Sequence, residues 1–401
     1  MRLFPAPEDR IAPYGFYAAM RRDHPVAYDE RSGSWGVFRY ADAKTVLTDH
    51  ARFSSDFRKV TRLHAVSGQL RPNLISTDPP RHRQLRLILA PTFAPTAINR
   101  LAPRIKEMVN RLLDEVIEQG RMELVADLAY PLPVMVIAEM LGVPPADRPQ
   151  FKQWADAIVG EGGGILLSNE ISPQRFAIQK EMDAYFSGIL AERRKAPKED
   201  LLSELLVAGA DGVRLSEQDI LSFCNLLLIA GHVTTVNLIT NAVWTLLSHP
   251  EALARLQFER GLLPSALEEV LRFRSPVRAV SRVALDEVLL EGQRIEAGQR
   301  IVVNLSSANR DERVFAEPER FDVTRSPNPH LAFGHGIHFC IGAPLARLEA
   351  RIALAAILDR LQALSFDGEP HLAPLDSVLL DGVERLPLVF RQGERIGLTI
   401  G

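Results

Sequence analysis

The feature that most restricts how this 401-residue chain can fold is one uninterrupted helical pattern, which begins at Ser216 and ends at about His249, before Pro250. The residues Ser-Glu-Gln-Asp at 216–219 predict a capping box in its first turn. At 1.5 Å per residue such a helix is about 50 Å long, and its middle, Phe223–Gly231, is apolar on nearly every side. A helix with these properties has to cross the protein interior, so we expect other helices to pack around it.

Around this helix the sequence predicts a mainly α protein with a small β region (α+β), in a single domain over residues 1–401. Pro and Gly, 27 and 25 in number, are spread evenly and mark no linker. Asp78-Pro-Pro predicts the start of a helix that runs to Leu89, with the Asp78 carboxylate as its N-cap. Alternating patterns predict strands at Val26–Tyr28, Trp35–Arg39, Arg282–Leu290, Gln293–Ile295, Arg300–Asn304 and Pro387–Phe390.

The composition argues against several classes of protein. The 47 Lys and Arg against 50 Asp and Glu leave a net charge of −3, which argues against nucleic-acid binding and against a polybasic membrane-surface protein. Two cysteines, Cys224 and Cys340, do not make a disulfide framework. No apolar signal segment follows Met1, and the most apolar runs, around Leu226–Ile229 and Val134–Val143, are shorter than the roughly 18 residues of a membrane span. We therefore expect a cytoplasmic protein with no membrane span.

Cys340 lies in a glycine-rich segment, Phe333-Gly-His-Gly-Ile-His-Phe-Cys-Ile-Gly342, which precedes a helical pattern. The glycines permit a tight loop, and free backbone N–H groups at a helix start favour a thiolate over a thiol. A thiolate held in this way suits a soft metal, and thiolate ligation of haem iron favours cleavage of the O–O bond. From the residues alone two other interpretations stay open: a buried structural thiol, or a zinc or copper site of His335, His338 and Cys340, for which no fourth ligand lies nearby.

The same segment resembles the haem-binding loop of the cytochrome P-450 superfamily, whose pattern is Phe-Gly-x-Gly-x-[His/Arg]-x-Cys-x-Gly. The resemblance covers almost the whole chain and is closest to the soluble bacterial branch. It implies the fold of that superfamily, with the long helix over a b-type haem (heme b) and Cys340 as the axial ligand of the iron. The fixed positions of the pattern are occupied here by Phe333, Gly334, Gly336, His338, Cys340 and Gly342.

The superfamily also carries a Glu-x-x-Arg pair about 70 residues before the cysteine. Glu269 and Arg272 match it, since Glu269 precedes Cys340 by 71 residues (340 − 269), and their i,i+3 spacing puts both on one helix face. The resemblance implies a buried ion pair with Arg320 as a candidate third partner. Removal of either charge would leave the other buried and unpaired.

His82 and Arg86 lie on one face of the predicted helix after Asp78. By themselves they would be two solvated cations. The resemblance implies that they bind the haem propionates together with His338 and Arg282, because charge-assisted hydrogen bonds hold carboxylates.

The long helix carries Ala230-Gly-His-Val-Thr-Thr235, which resembles the superfamily motif Ala-Gly-x-[Asp/Glu]-Thr-[Thr/Ser]. This implies that Ala230 and Gly231 lie against the cofactor and that the hydroxyls of Thr234 and Thr235 are catalytic, with Thr234 helping to deliver protons to the oxygen. A glycine inside a helix costs roughly 1 kcal/mol relative to alanine, and we expect close approach to the haem or to O2 to explain Gly231.

Val233 departs from the motif, because it stands where the superfamily usually has an acid and cannot relay a proton. Three explanations stay open: a water chain or a substrate hydroxyl replaces the acid, oxygen is poorly coupled to product, or the site favours peroxide-driven chemistry. The function alternatives to a monooxygenase are accordingly a peroxygenase, a non-enzymatic haem protein that binds a hydrophobic ligand and, more distantly, a zinc-binding interaction protein.

The resemblance implies a monooxygenase that inserts one atom of O2 into a hydrophobic small molecule of the fatty acid, terpenoid, steroid or polyketide class. Electrons would come from NAD(P)H through a separate ferredoxin or flavodoxin, an acidic partner that Arg83 and Arg347 are expected to face. Substrate-lining segments are expected near 57–74 and 158–180, with Arg278 as a candidate anchor for a polar end of the substrate. The individual residues expected at the substrate are Val233, Val277, Arg278, Val280 and Leu379.

Overall fold

The structure, a computed structural model, describes residues 1–59, 72–160, 173–369 and 372–397. Residues 60–71 and 161–172 belong to the two segments expected to line a substrate site, and for these residues that expectation lies outside the described part of the chain.

Helices dominate the described residues, as the sequence predicted. They are α1 (Tyr14–Asp23), α2 (Tyr40–Thr48), α3 (Arg81–Leu89), α4 (Pro95–Ile98), α5 (Ala102–Asp114), α6 (Pro131–Met140), α7 (Arg148–Gly160), α8 (Pro173–Lys195), α9 (Leu201–Val207), α10 (Glu217–Leu247), α11 (Pro250–Phe258), α12 (Leu263–Phe273), α13 (Leu305–Ala308) and α14 (Ala343–Arg360).

The strands form a small β region, which confirms the predicted fold class. They are β1 (Val26–Asp29), β2 (Ser34–Val37), β3 (Phe53–Ser54), β4 (Arg121–Glu123), β5 (Gly209–Ala210), β6 (Val213–Arg214), β7 (Ala279–Ala284), β8 (Val288–Leu290), β9 (Gln293–Ile295), β10 (Arg300–Asn304), β11 (Ser365–Phe366) and β12 (Pro387–Val389). The largest sheet has the order β1-β2-β10-β7-β3. Its β2–β10 pair is parallel, with Trp35 opposite Ile301, and its other pairs are antiparallel.

The long helix predicted from the sequence is α10, and it has the predicted start. Ser216 is its N-cap: the Asp219 N–H donates to the Ser216 hydroxyl at 3.1 Å, and the Ser216 N–H donates to the Asp219 carboxylate at 2.8 Å. The helix packs against α6, α7, α8, α12 and α14. Because α14 directly follows the cysteine segment, this packing brings that segment to the long helix.

By length and composition alone, α10 could also cross a bilayer. The sequence analysis did not predict this, because it considered only shorter apolar runs within the helix. In the folded chain 72% of its apolar window is buried inside the protein. The helix therefore uses its apolar residues as core.

Two local predictions need correction. Helix α3 begins at Arg81 and Asp78 does not cap it; instead the Asp78 carboxylate accepts hydrogen bonds from the Ser54 hydroxyl, the Ser55 N–H (3.0 Å) and the Lys59 ammonium (2.7 Å). Donors from a distant segment thus satisfy the carboxylate better than one helix N–H would. The strand predicted over Arg282–Leu290 is two strands, because β7 begins earlier and ends at Ala284, and β8 pairs with β9 in a separate hairpin.

Candidate haem-thiolate site

The cysteine segment is a tight loop that ends at α14. Gly334 and Gly336 have φ of 74° and 70°, the left-handed region that favours glycine. A Cβ on Gly336 would lie 2.8 Å from the Leu47 carbonyl oxygen, so no larger residue fits there. The Cys340 N–H donates to the Phe333 carbonyl at 2.9 Å and closes the loop. Cys340 is an exposed residue at the end of this loop.

The environment of the Cys340 sulfur is less favourable to a free thiolate than the sequence suggested. Desolvation by the surrounding protein raises the pKa of the thiol, although the backbone N–H groups of Gly342 and Ala343 and the positive charges of Arg86 and Arg347 act to lower that pKa. The helix start does help, as predicted, but it does not outweigh desolvation. A bound metal ion would remove the proton, since a coordinating thiol is deprotonated outright.

Next to the loop lies a cluster of groups that can carry positive charge. The rings of His82 and His338 are 4.3 Å apart, and the Nε2 atom of each is buried with no hydrogen-bond partner among the described residues. Arg86 Nη1 donates to the Phe339 carbonyl at 2.6 Å, and the buried Arg282 donates to the Ser281 carbonyl at 2.8 Å. Three separate elements, α3, β7 and the loop, therefore meet here.

Burial and mutual repulsion disfavour positive charge in this cluster. Burial is the main cause in each case: it lowers the pKa of His82 to about 4 and that of Arg282 to about 10, and together with the charge of Arg282 it lowers the pKa of His338 to about 3. Among the charges acting on these residues, Asp78 is the carboxylate that favours their protonated forms. An anionic ligand with carboxylates would supply acceptors for the two orphaned imidazole nitrogens and would relieve the repulsion.

Helix α10 presents a short open face near its middle, between two stretches that are mostly buried. Ala230 is exposed and Val233 and Thr234 are half-buried, as i, i+3 and i+4 neighbours should be when they share one side. The Thr234 hydroxyl donates to the Ala230 carbonyl at 2.8 Å. We call Ala230, Val233 and Thr234 the open face of α10.

Two residues expected to act beside them lie on other sides of the helix. Thr235 is buried and its hydroxyl donates to the Gly231 carbonyl at 3.0 Å, so a catalytic role for Thr235 is not supported. A Cβ on Gly231 would lie 3.1 Å from Ile137 Cδ1 of α6. The glycine thus allows α6 and α10 to approach each other, which gives Gly231 a structural reason besides the expected approach to the haem or O2.

Comparison with known proteins decides the family. The cytochrome P450 family model matches residues 166–381. Cytochrome P450 monooxygenase PikC of Streptomyces venezuelae is 41% identical over 398 residues, which is 97% of this chain and 94% of PikC. The chain belongs to the cytochrome P450 family. It is therefore an oxidoreductase that incorporates oxygen, with a haem iron bound by a cysteine thiolate.

Solved structures of other P450s have the same fold. CYP109E1 from Bacillus megaterium in complex with corticosterone is 39% identical with a TM-score of 0.86, over 96% of this chain and 99% of CYP109E1. P450BioI in complex with an acyl carrier protein ligated to hexadec-9Z-enoic acid is 37% identical with a TM-score of 0.85, over 96% of this chain and 100% of P450BioI.

The residues of this P450 fit the haem of the family. Cys340 supplies a soft sulfur ligand, the orphaned nitrogens of His82 and His338 supply donors for propionates, and the open face of α10 is apolar with one hydroxyl. A zinc or copper site is not supported, because the described residues contain no group of three or more His, Cys, Asp or Glu side chains that could hold a metal ion.

The Glu-x-x-Arg pair of this P450 is fully buried, with two hydrogen bonds of 2.8 Å between Glu269 and Arg272. Arg272 also donates to the carbonyls of Pro318 and Arg320 at 2.9 and 3.1 Å. The side chain of Arg320 is not the third partner, since it is exposed and pairs with Glu317. The third partner is Arg325, whose Nε lies 3.1 Å from both Glu269 oxygens; no spacing rule distinguished the two arginines in the sequence.

The expected substrate residues divide into two groups. Val277 and Val280 are half-buried and pack at the edge of the β-sheet core. Arg278 is instead buried, and its Nη2 donates to the Asp381 carboxylate at 2.8 Å and to the Arg10 carbonyl at 2.6 Å. Leu379 is 1% exposed in a cluster with Tyr17. Arg278 as a substrate anchor and Leu379 as a lining residue are therefore corrected, because tertiary contacts occupy both.

Proposed function

We propose that this P450, as one domain over residues 1–401, is a bacterial cytoplasmic enzyme that inserts one oxygen atom from O2 into a hydrophobic small molecule. Its electrons come from NAD(P)H through a separate ferredoxin or flavodoxin. The observation that carries the proposal is the open face of α10, where an exposed Ala230 and a half-buried Val233 leave apolar surface beside the single hydroxyl of Thr234. Such a surface binds apolar groups and leaves few polar contacts to fix their orientation.

Cys340 would hold the iron, and His82, Arg86, Arg282 and His338 would hold the propionates. When bound, the haem supplies oxygen activation, which the thiolate favours by donating electron density to the iron. The four propionate residues keep the cofactor in one orientation and replace the solvent that its carboxylates lose.

The residues of the open face have separate roles. Ala230 leaves room beside the helix because its side chain is a single methyl group. Thr234 holds a hydroxyl proton at a defined atom, 2.8 Å from the Ala230 carbonyl. Val233 adds an apolar side chain to this face and offers no acid, so protons have to reach Thr234 by another route.

The substrate class follows from the apolar surface and from the relatives. A steroid is bound to CYP109E1 and an acyl chain on its carrier protein is bound by P450BioI. We infer a substrate of similar size and apolarity, a steroid or a long acyl chain, for which Val277 and Val280 are further lining residues.

A spin-state titration tests this proposal. Haem-loaded protein is titrated with a steroid, a free long-chain fatty acid and its methyl ester, and each compound that shifts the Soret band is then turned over with a surrogate ferredoxin and its reductase. We expect at least one apolar compound to shift the band and to yield a product that carries oxygen from labelled O2. Binding of polar compounds only, or turnover without incorporated label, would contradict the proposal.

A peroxide-driven reaction is the second candidate, and Val233 is the observation that favours it. The discriminating variant is Val233→Glu, which restores an acid next to Thr234. If the enzyme uses O2 and proton supply limits it, Val233→Glu raises the amount of product formed per NADPH oxidised. If hydrogen peroxide without a reductase already supports full turnover and the variant lowers that turnover, the peroxygenase assignment replaces the monooxygenase.

A further inference from the structure

Glu268 directly precedes the Glu-x-x-Arg glutamate on α12 and makes a different set of contacts. Its carboxylate accepts two hydrogen bonds of 2.7 Å from Nε and Nη2 of Arg347, on α14. This two-point geometry fixes the guanidinium plane more firmly than a single contact would. The pair joins two helices, α12 and α14, that pack against each other.

Arg347 links this ion pair to the cysteine loop. Its guanidinium carbon lies 4.5 Å from the centre of the Phe333 ring, a cation–π contact. Phe333 is the first residue of the loop, and its carbonyl accepts the hydrogen bond from the Cys340 N–H. Arg347 is also one of the two arginines whose charge acts on the Cys340 sulfur.

A second residue, His330, also connects Glu268 to the start of the loop. His330 Nε2 lies 3.0 Å from the Glu268 carboxylate, and the ring of His330 is 6.3 Å from that of Phe333. Burial acts to raise the pKa of Glu268, but the hydrogen bonds and charges of Arg347 and His330 outweigh it and lower that pKa to about 2, so the carboxylate is charged at neutral pH. One glutamate therefore holds two side chains that flank the start of the loop.

We propose that Glu268 is a positioning residue for the haem-ligand loop, which acts by holding Arg347 on Phe333. The two consecutive glutamates of α12 then have separate tasks: Glu269 holds Arg272 and Arg325, and Glu268 holds the cysteine loop. Because Glu268 shares no partner with Glu269 among the described contacts, it can be changed without removing the buried network.

Because Arg347 is positively charged, the proposal predicts the direction in which the reduction potential of the haem iron changes. The oxidised iron centre carries one more positive charge than the reduced centre, so loss of a nearby cation lowers the reduction potential. Arg347 and Glu268 are 35% and 31% exposed, and without Glu268 the arginine can turn into solvent. Glu268→Ala should therefore lower the potential, although simple loss of a negative charge beside a fixed Arg347 would raise it.

The experiment is potentiometric titration of the haem-loaded protein, with the carbon monoxide difference spectrum recorded as a check on thiolate ligation. The variants are Glu268→Ala, Arg347→Met and the double variant. Arg351→Met is the matched control, because Arg351 is an exposed arginine one turn further along α14. We expect both single variants to lower the potential, the double variant to lower it no further than Arg347→Met, and the control to change it less than any of them.

A rise in potential for Glu268→Ala, an unchanged value, or additive shifts in the double variant would each overturn the proposal. If Glu268→Ala does not incorporate haem, Glu268→Leu takes its place, since leucine fills much of the same space and offers Arg347 no acceptor. Its potential should then fall, by no more than that of Arg347→Met, and a rise would again overturn the proposal.

Discussion

Replacement of Glu349 by glutamine measures how much a buried carboxyl group lowers the free energy of unfolding of this protein. Glu349 lies on α14, is 1% exposed, and its Oε2 has no hydrogen-bond partner among the described residues. Burial raises the pKa of this carboxyl from 4.5 to about 8. The folded protein therefore keeps a proton that the unfolded chain loses above pH 4.5.

The direction of the pH dependence follows from that difference. A carboxyl whose pKa is raised by folding contributes nothing unfavourable well below the unfolded pKa, and its cost grows as the pH rises towards the folded pKa. With a difference of 3.5 (8 − 4.5) and 1.36 kcal/mol per pKa unit, the full cost is about 5 kcal/mol above pH 8. Between pH 5 and pH 7 the free energy of unfolding should fall by roughly 2–3 kcal/mol because of this one group.

The assay is reversible guanidinium unfolding of the haem-loaded protein at several values between pH 5 and pH 8. Glu349→Gln keeps the shape and removes the titration. The difference in the free energy of unfolding between Glu349→Gln and the wild type should therefore grow by roughly 2–3 kcal/mol from pH 5 to pH 7. Asp359→Asn is the control, because this side chain lies on the same helix and is 63% exposed. Parallel pH profiles for wild type and Glu349→Gln would refute the reasoning, since they would mean that the buried carboxyl does not titrate in this range.

Three further outcomes are expected. Cys340→Ser should abolish the thiolate-type band in the carbon monoxide difference spectrum, and a retained band would exclude Cys340 as the ligand. Arg282→Met should raise the dissociation constant for haem by about tenfold or more, because a hydrogen bond to a charged group contributes about 1.5–3 kcal/mol. The control is Arg83→Met, which should leave this constant unchanged because the side chain of Arg83 on α3 is 73% exposed. Equal effects of the two substitutions would contradict the propionate assignment. Gly231→Ala should change the free energy of unfolding by less than about 1 kcal/mol, because its helix propensity offsets the 3.1 Å contact with Ile137; a loss of haem binding would instead restore the cofactor explanation for this glycine.

Local physical chemistry made much of this protein predictable. The capping box at Ser216 and the continuous apolar pattern after it depend only on neighbouring residues, and α10 has the predicted start and burial. The glycines of the cysteine loop were predictable for the same reason, because a positive φ is a property of one residue. The i,i+3 spacing of Glu269 and Arg272 likewise placed both on one face before any partner was known.

Tertiary structure decided which distant residues each of these side chains contacts. The partner of Glu269 is Arg325 and not Arg320, Arg278 pairs with Asp381 from 103 residues away, and Asp78 binds Lys59 and two serines in place of a helix end. Periodicity tells which side of its own helix a residue occupies, but it carries no information about the segment that packs there. That segment is chosen by the burial of the whole chain, so long-range partners of charged residues appear only once the fold is formed.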